Sequence, residues 1–239
     1  MTYGRCDEPL HIGIVGCSAE GAALCYRTIC AEGGRLLGAH AHPQVSMHTH
    51  SLARYVECLD GDDPVAGIGA LMLSSAENLV RAGADFLICP DNTIHQAFDF
   101  VVARSPLPWL HIADGVADEA AARGFKRLGI LGTPWLMNSA VYPERLRGRG
   151  IGWRMPSPDQ HPRIARIIMD ELVNGRFAAH SIDVLREVIS SLQDQGCDAV
   201  ALACTELPLV IDDRNSALPT LDSTRLLALA ALRHAIGTN

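Results

Sequence analysis

The chain has 239 residues, of which 48% are hydrophobic and 20% are charged, and its formal net charge is −7. This length and apolar content suit one large globular domain or two domains of about 110 residues each. An acidic chain without a lysine or arginine cluster is a poor partner for nucleic acid or for an anionic membrane surface, so we expect neither as a partner.

Hydropathy, cysteines and lysines indicate the cellular location and the kind of chemistry to expect. The sequence contains no run of 18 apolar residues and no charged-then-apolar leader after Met1, which predicts a cytoplasmic protein. Its eight cysteines lack CxxC spacing and are typical of reduced thiols in a chain of this size. Lys126 is the only lysine, and its place at the entrance of a predicted strand makes it a poor Schiff-base candidate. We therefore expect no pyridoxal cofactor.

Short apolar runs alternate with helical patterns in the first half of the chain. A strand at 12–16 leads through Ser18 to a helix at 21–32, which Gly33 and Gly34 are expected to end. Ser18 either caps this helix or contacts a ligand. Further strands are predicted at 42–50, 86–89 and 107–112, and further helices at 65–82 and 94–104.

The second half shows the same alternation. Strands are predicted at 128–131, 152–155, 199–203 and 219–221, and helices at 116–123, 141–149, 161–175, 180–195 and 226–236, with a short helix after Pro208. Strands that alternate with helices predict an α/β fold with parallel sheets.

The two halves also match residue by residue. The segment 83–93 (GADFLICPDNT) lies over 196–206 (GCDAVALACTE) without a gap, so that Asp91 falls on Cys204 (204 − 91 = 113). Two more pairs occur at similar offsets: HIGIVG at 11–16 with RLGILG at 127–132, and LPWL at 107–110 with LPTL at 218–221. Three pairs in the same order predict two copies of one α/β unit. If the copies face each other, Asp91 and Cys204 lie on opposite sides of a shared cleft.

Cys204 ends a buried strand, at the edge where α/β sheets bind ligands. A helix N-terminus at this point would stabilise its thiolate. The alternative is a buried cysteine that acts as a small hydrophobic residue, and Cys89 is interpreted in that way. Asp91, Asn92 and Thr93 are all suitable N-caps, and one of them is expected to have that structural role. His95, in the helix that follows, is interpreted as a partly buried structural residue.

Four histidines lie close together at positions 40, 42, 48 and 50. No cysteine or carboxylate accompanies them at metal-ligand spacing, so we expect no metal site and interpret them as solvent-facing or cleft-lining. His48 or Thr49, at the C-terminal end of the predicted strand, is placed where it would reach the cleft.

With both motifs in place, the chain resembles the aspartate/glutamate racemase family, within the Asp/Glu/hydantoin racemase superfamily. The similar segments are IGIVGCSAEG…YR at 12–27, GADFLICPDNTIH at 83–95, LGILGT at 128–133 and CTELP at 204–208. The resemblance implies two similar α/β domains, each with a short parallel sheet flanked by helices. They are expected to be related by a pseudo-two-fold axis, with the active site in the cleft between them. The expected domains are 1–111 with 222–239, and 112–221.

The resemblance further implies a cofactor-independent amino-acid racemase or epimerase, an isomerase that transfers protons at the α-carbon, with aspartate or glutamate favoured. Such enzymes use two thiols as base and acid, but Asp91 stands where the first cysteine is expected. The catalytic pair would then be Asp91 and Cys204. Free Asp and Cys differ by about 4.6 pK units, or roughly 6 kcal/mol between the two placements of one proton. We therefore expect burial to raise the pKa of Asp91 and a helix terminus to lower that of Cys204.

The expected substrate is a small amino acid or related carboxylate, and a homodimer is the expected assembly. The predicted substrate-binding residues are Ser18, Thr49, Asn92, Thr93, Thr133 and Thr205. Arg54 and Arg163 are candidates for a distal carboxylate. Three alternatives stay open because the first cysteine is missing: an arylmalonate-type decarboxylase, a maleate-type cis–trans isomerase, and a ligand-binding protein of the same fold without catalysis.

Overall fold

The computed structural model describes residues 8–238. The strands are β1 (Ile12–Gly16), β2 (Val45–Thr49), β3 (Phe86–Ile88), β4 (Trp109–Leu110), β5 (Arg127–Gly132), β6 (Gly152–Arg154), β7 (Ala199–Ala203) and β8 (Thr220–Asp222). The α-helices are α1 (Ala19–Leu36), α2 (Leu52–Leu59), α3 (Pro64–Arg81), α4 (Phe98–Val102), α5 (Ile112–Ala122), α6 (Pro134–Met137), α7 (Val141–Arg147), α8 (His161–Arg166), α9 (Ala179–Asp194) and α10 (Ser223–Ala235). Short 3₁₀ segments occur at Thr93–Ala97, Leu172–Asn174 and Leu207–Leu209, and a π-helical turn at Ile167–Glu171.

The strands form two four-stranded parallel sheets with equivalent strand orders. The first sheet has the order β2-β1-β3-β4 and the second has β6-β5-β7-β8. Parallel neighbours need crossover connections, and helices supply most of them here. The predicted α/β class with two parallel sheets is confirmed.

The sheet registers reproduce the offsets between the repeated sequence motifs. Residues that match between the two sequence copies lie opposite equivalent partners in the two sheets. This holds for β1–β3 compared with β5–β7, and for β3–β4 compared with β7–β8. The matched pairs are Gly13–Leu87 with Gly129–Val200, and Leu87–Trp109 with Val200–Thr220. The repeated motifs therefore occupy equivalent positions in the two sheets.

The glycine and aspartate shared by the two motifs have the same structural roles in both copies. Gly83 and Gly196 have φ values of 88° and 83°, a left-handed conformation that favours glycine. The Asp85 carboxylate accepts a hydrogen bond of 2.7 Å from the backbone N–H of His11, just before β1. The Asp198 carboxylate accepts one of 3.0 Å from the backbone at the start of β5. Each aspartate thus fastens a loop to the central strand of its sheet.

Strand β7 is buried on both faces, as its apolar sequence predicts. Its alanines at 199, 201 and 203 pack in a core with α5 and α7. Val200, Leu202 and the following Cys204 belong to the opposite core, with α8 and α9. Alternation along the strand therefore directs Cys204 to the α8–α9 side.

The chain contacts divide the protein into two compact units. The first contains residues up to Pro90, Ala97–His111, and the chain from Leu227 onward, and the second contains Asp91–Gln96 and Ile112–Leu226. The domain boundaries expected from the sequence, and a site between the domains, stay predictions. Across residues 8–238, helices long and apolar enough to cross a membrane are absent.

The expected end of the first helix is wrong. Helix α1 continues through Gly33 and Gly34 to Leu36. A Cβ at Gly33 would lie 2.8 Å from His42 Cβ and 2.9 Å from the Ala41 carbonyl oxygen. Glycine is therefore needed at 33 for close packing of the following chain, and it does not end the helix.

Four other stretches differ from the sequence prediction. Helices α2 and α6 were not predicted, and the expected single helix at 161–175 consists of α8, a π-helical turn and a 3₁₀ segment. The predicted helix at 94–104 begins as a 3₁₀ segment before α4. Short helical turns have too few residues for a clear 3.6-residue pattern, which explains these differences.

Candidate functional site

Asp91 and Cys204 belong to the same compact unit. Asp91 follows β3 of the first sheet, yet residues 91–96 pack with the second unit, which contains β7 and Cys204. The half-buried Asp91 carboxylate accepts a hydrogen bond of 3.2 Å from the backbone N–H of Ile94, so it caps the turn that follows. Its negative charge is also one cause of the raised pKa of Cys204. The two predicted catalytic groups are therefore within electrostatic reach of each other.

His95 holds the backbone of Asp91. Its Nε2 atom accepts a hydrogen bond of 3.2 Å from the backbone N–H of Ile112, so the ring proton lies on Nδ1 and is donated to the Asp91 carbonyl oxygen at 2.6 Å. Burial lowers the pKa of His95 to about 4, although the hydrogen bond to Asp91 opposes this shift. His95 is thus a neutral, buried side chain, which agrees with its structural interpretation.

Asn92 is engaged on both sides of its amide. The Tyr142 hydroxyl donates to Asn92 Oδ1 at 2.7 Å, and Asn92 Nδ2 donates to Ser223 Oγ at 3.0 Å. The Ser223 hydroxyl donates in turn to the carbonyl oxygen of Leu202 in β7, at 2.9 Å. These four residues are called the Asn92 network below.

Thr93 and Thr133, both predicted to bind substrate, are brought together. Their hydroxyl oxygens lie 2.8 Å apart, and Thr133 Oγ1 also accepts a weaker hydrogen bond from the backbone N–H of Leu136 at 3.3 Å. Thr133 therefore caps α6 and joins the loop after β5 to the loop that carries Asp91.

Cys204 lies against a buried carboxylate. Its Sγ donates to Glu206 Oε2 at 3.0 Å, and the Thr205 hydroxyl donates to the same oxygen at 2.7 Å. Cys204 and Glu206 are only 8% and 3% exposed. A carboxylate that accepts from both neighbours is satisfied in this position, and it leaves the thiol protonated.

The expected stabilisation of the Cys204 thiolate is wrong. Burial raises the pKa of the thiol well above its ordinary value, and the Glu206 and Asp91 charges raise it further. The backbone N–H of Glu206 acts in the opposite direction but does not compensate. The helical turn after Cys204 is a three-residue 3₁₀ segment, Leu207–Leu209, which is too short to supply a substantial dipole.

The matching family model is the Asp/Glu/Hydantoin racemase family, and it spans residues 14–231. The chain belongs to this family. Family membership is therefore confirmed, and so is the predicted enzyme class, because racemases are isomerases.

The similarity between this chain and its individual relatives covers different fractions of each relative's length. The chain is 26% identical to the broad specificity amino-acid racemase RacX of Bacillus subtilis, over 66% of this chain and 67% of RacX. It is 25% identical to a glutamate racemase of Corynebacterium diphtheriae, over 63% of this chain but only 56% of that enzyme. An aspartate racemase homologue from Pyrococcus horikoshii superposes with a TM-score of 0.80 at 25% identity, covering 94% of this chain and 98% of the other.

Two predicted substrate-binding residues of this family member belong to the first unit. Ser18 is buried and accepts a hydrogen bond of 3.1 Å from the backbone N–H of Gly21, so it caps α1. Thr49 is exposed at the end of β2, opposite Gly16 in the register. The other four predicted residues, Asn92, Thr93, Thr133 and Thr205, are in the second unit with the catalytic candidates.

The remaining candidates have ordinary protein partners. His48 contacts the Ser75 hydroxyl through Nδ1 at 2.9 Å and the Asn78 amide through Nε2 at 3.1 Å. Arg54 contacts His50, and exposed Arg163 lies 4.0 Å from Glu187. Within residues 8–238, clusters of three or more side chains suited to a metal ion are absent.

Glu206, Tyr142 and Ser223 received no role from the sequence. Glu206 lies inside the CTELP motif, two positions after Cys204, and this spacing was the available signal. Tyr142 and Ser223 are 50 and 131 residues from Asn92 in the chain, and no local pattern marks them.

Proposed function

We propose that this racemase-family protein is a cofactor-independent amino-acid racemase or epimerase that transfers protons at the α-carbon. Asp91 and Cys204 are the acid–base pair, and acidic amino acids are the favoured substrates. The observation that carries the proposal is that the loop of Asp91 packs in the same compact unit as the buried Cys204 thiol, whose pKa the Asp91 charge helps to raise. Proton transfer at carbon needs both a proton acceptor and a proton donor near the reacting centre.

The protonation of Cys204 gives the reaction a direction. Because its pKa is raised, Cys204 carries its proton at rest and acts first as the acid. Asp91 then removes the α-proton from one face while the thiol donates to the other. This step leaves a protonated Asp91 and a Cys204 thiolate. The enzyme returns to its resting state when the Asp91 proton is lost to solvent and the thiolate regains one.

Turnover of the opposite enantiomer needs Cys204 as a thiolate. Glu206 Oε2, which accepts the thiol proton at 3.0 Å, is the group positioned to remove it. Glu206 would thus help the enzyme reach the less populated proton arrangement. This role gives a function to a second carboxylate beside a thiol whose pKa it raises.

Binding of the substrate carboxylate is assigned to the loops around this pair. The paired hydroxyls of Thr93 and Thr133, together with Thr205, lie in the same unit as Asp91 and Cys204. Hydroxyl and backbone N–H groups at such loops are suitable donors for a carboxylate. The names of the relatives, a broad specificity amino-acid racemase and a glutamate racemase, support a panel that includes acidic and neutral amino acids.

The test is incubation in D₂O with each enantiomer of this panel. We expect deuterium at the α-carbon of the inverted product. Cys204→Ala should lower inversion by about 10²- to 10⁴-fold, since no other donor serves that face. Asp91→Asn keeps a suitable turn cap but cannot accept the proton, so it should lose inversion and keep only slow exchange on the Cys204 face. Asp91→Cys should retain inversion with two thiols.

Cys30→Ala is the matched control, because Cys30 is a half-buried cysteine of α1 in the first unit. It should leave the rate unchanged. If Asp91→Asn inverts substrate at the parental rate, Asp91 is only a cap and the assigned pair is wrong. A fully active Cys204→Ala variant would contradict the proposal at its centre.

The second candidate function is decarboxylation or cis–trans isomerisation, in which Cys204 acts on one face of the substrate only. A buried thiol with a raised pKa is suited to donate a proton to a carbanion on one face, as a decarboxylase requires. Incubation with a malonate-type acid and with maleate separates this reaction from racemisation. Release of carbon dioxide or formation of fumarate, without α-proton exchange in any amino acid, would favour it.

A further inference from the structure

A continuous series of buried hydrogen bonds connects the loop of Asp91 to the strand that precedes Cys204. Asn92 directly follows Asp91, and Leu202 lies two residues before Cys204. Between them, the Asn92 amide donates to Ser223, and Ser223 donates to the Leu202 carbonyl oxygen. All of these residues belong to the second unit.

The partners also determine which way the Asn92 amide points. The single proton of Ser223 is used on the Leu202 carbonyl, so Ser223 Oγ must accept from Asn92 Nδ2. Asn92 Oδ1 then faces Tyr142, whose hydroxyl donates to it at 2.7 Å. Burial raises the pKa of Tyr142, which keeps this hydroxyl protonated as a donor. A side-chain hydrogen bond with Ser223 opposes the effect of burial on the pKa of Tyr142, so these two residues of the Asn92 network also contact each other.

We infer that Tyr142 and Ser223 are positioning residues for proton transfer, which hold the Asp91 loop at a set distance from Cys204. This inference rests on the proposed function. Neither residue needs to contact the substrate, because both act through Asn92. An error of about 1 Å in the placement of a reacting group can cost roughly 10²-fold in rate.

The test compares Tyr142→Phe and Ser223→Ala with the parent enzyme in the D₂O assay. Each variant removes one hydroxyl and keeps most of the side-chain volume. We expect kcat to fall by about 10- to 100-fold while KM changes by less than about threefold. The double variant should lose little more than either single variant, because both changes interrupt the same chain of contacts. Tyr26→Phe and Ser190→Ala, at exposed positions, are the matched controls.

A second measurement does not depend on turnover. The Asp91 charge helps to raise the pKa of Cys204, so displacement of the loop should reduce that effect. The pH midpoint for iodoacetamide alkylation of Cys204 should move in Tyr142→Phe toward the lower midpoint of Asp91→Asn. A residue that only stabilises the fold would leave this midpoint unchanged.

Two results would overturn the inference. The first is an active parent whose variants keep kcat within about threefold, or lose activity only in proportion to their unfolded fraction. The second is an alkylation midpoint that does not move. If the parent itself catalyses no exchange, the proposed function fails and the inference fails with it; that outcome is distinguished by the inactivity of the parent.

Discussion

At the scale of single residues, burial and negative neighbours together keep the Cys204 thiol protonated. Burial raises its pKa most, and the charges of Glu206, which accepts the thiol proton at 3.0 Å, and of Asp91 raise it further. The site therefore stores a proton on sulfur at neutral pH. A thiol kept in this state is an acid first and becomes a base only when Glu206 or solvent removes the proton.

Removal of the Glu206 charge should lower the pKa of Cys204. The Glu206 carboxylate is negatively charged and accepts the thiol proton, so it disfavours the Cys204 thiolate. In Glu206→Gln we therefore expect the alkylation midpoint of Cys204 to fall to lower pH. Peptide mass spectrometry after iodoacetamide treatment across a pH series measures this change. Glu187→Gln, at an exposed glutamate of α9, is the control; an unchanged midpoint in Glu206→Gln would assign the shift to burial and Asp91, without a contribution from Glu206.

His95 should make the fold sensitive to acid. Its pKa is about 4 in the folded protein and 6.5 ordinarily, because burial disfavours the charged ring. Between these values the unfolded chain binds more protons, so the stabilisation is complete above pH 6.5 and is lost as the pH falls through 4. The loss reaches about 3 kcal/mol near pH 4.

Urea unfolding at a series of pH values from 7 to 4 tests this expectation with His95→Gln. The variant should lose less stability over that range than the parent, whatever its stability at pH 7. His180→Gln, at an exposed position at the start of α9, should follow the parent. Equal acid losses in the parent and His95→Gln would show that His95 does not titrate as described.

At the scale of elements, two neighbouring glycines in α1 differ in how closely other atoms approach them. Gly33 lies against the chain at Ala41 and His42, whereas the nearest atom to a Cβ at Gly34 is His40 N at 3.8 Å. The first glycine is required by packing and the second is not. A helix interior without a packing constraint prefers alanine to glycine.

The two alanine substitutions should therefore change stability in opposite directions. Gly33→Ala should destabilise the protein by about 1–3 kcal/mol, because the chain after α1 has to move. Gly34→Ala should stabilise it by about 0.5–1 kcal/mol, because alanine loses less conformational entropy in a helix. Urea denaturation of both variants beside the parent is the measurement, and a shift of the same sign in both would refute the distinction.

At the scale of the whole molecule, the last helix returns to the first unit. Leu227 and Leu232 of α10 are fully buried, and the Leu10 backbone N–H donates to the Ala235 carbonyl oxygen at 2.8 Å. His234 packs edge-on against Phe86 of β3, with ring centroids 4.6 Å apart. The end of the chain is thus part of the core that supports the first sheet.

Deletion of residues 227–239 should destabilise the first sheet more than the second. Burial of each leucine contributes about 1.5–3 kcal/mol, so the loss of Leu227 and Leu232 alone is comparable with the stability of a typical domain. Amide hydrogen exchange should show lost protection in β1 and β3 and retained protection in β5 and β7. Deletion of residues 238–239 is the control. Full protection of β1 in the longer deletion would contradict this assignment.

The sequence by itself determined the class of fold and the presence of two copies of one α/β unit. Asp85 and Asp198 bond backbone groups 74 and 71 residues away, but the left-handed conformation of Gly83 and Gly196 is a local preference for glycine. Short-range preferences of this kind can be identified from the residue types. The local preference of glycine also predicted that the first helix ends at Gly33. This prediction is wrong, because glycine is needed there for contact with residues that follow the helix.

Only the tertiary structure decided how the Cys204 thiol is protonated and what holds Asp91 near it. The Glu206 carboxylate could point to solvent at this spacing, and its burial against the thiol follows from the packing of the second unit. Tyr142 and Ser223 reach Asn92 across 50 and 131 residues of chain. Burial and long-range hydrogen bonds depend on the whole packed chain, and a pKa depends on both, so neither can be derived from a local pattern.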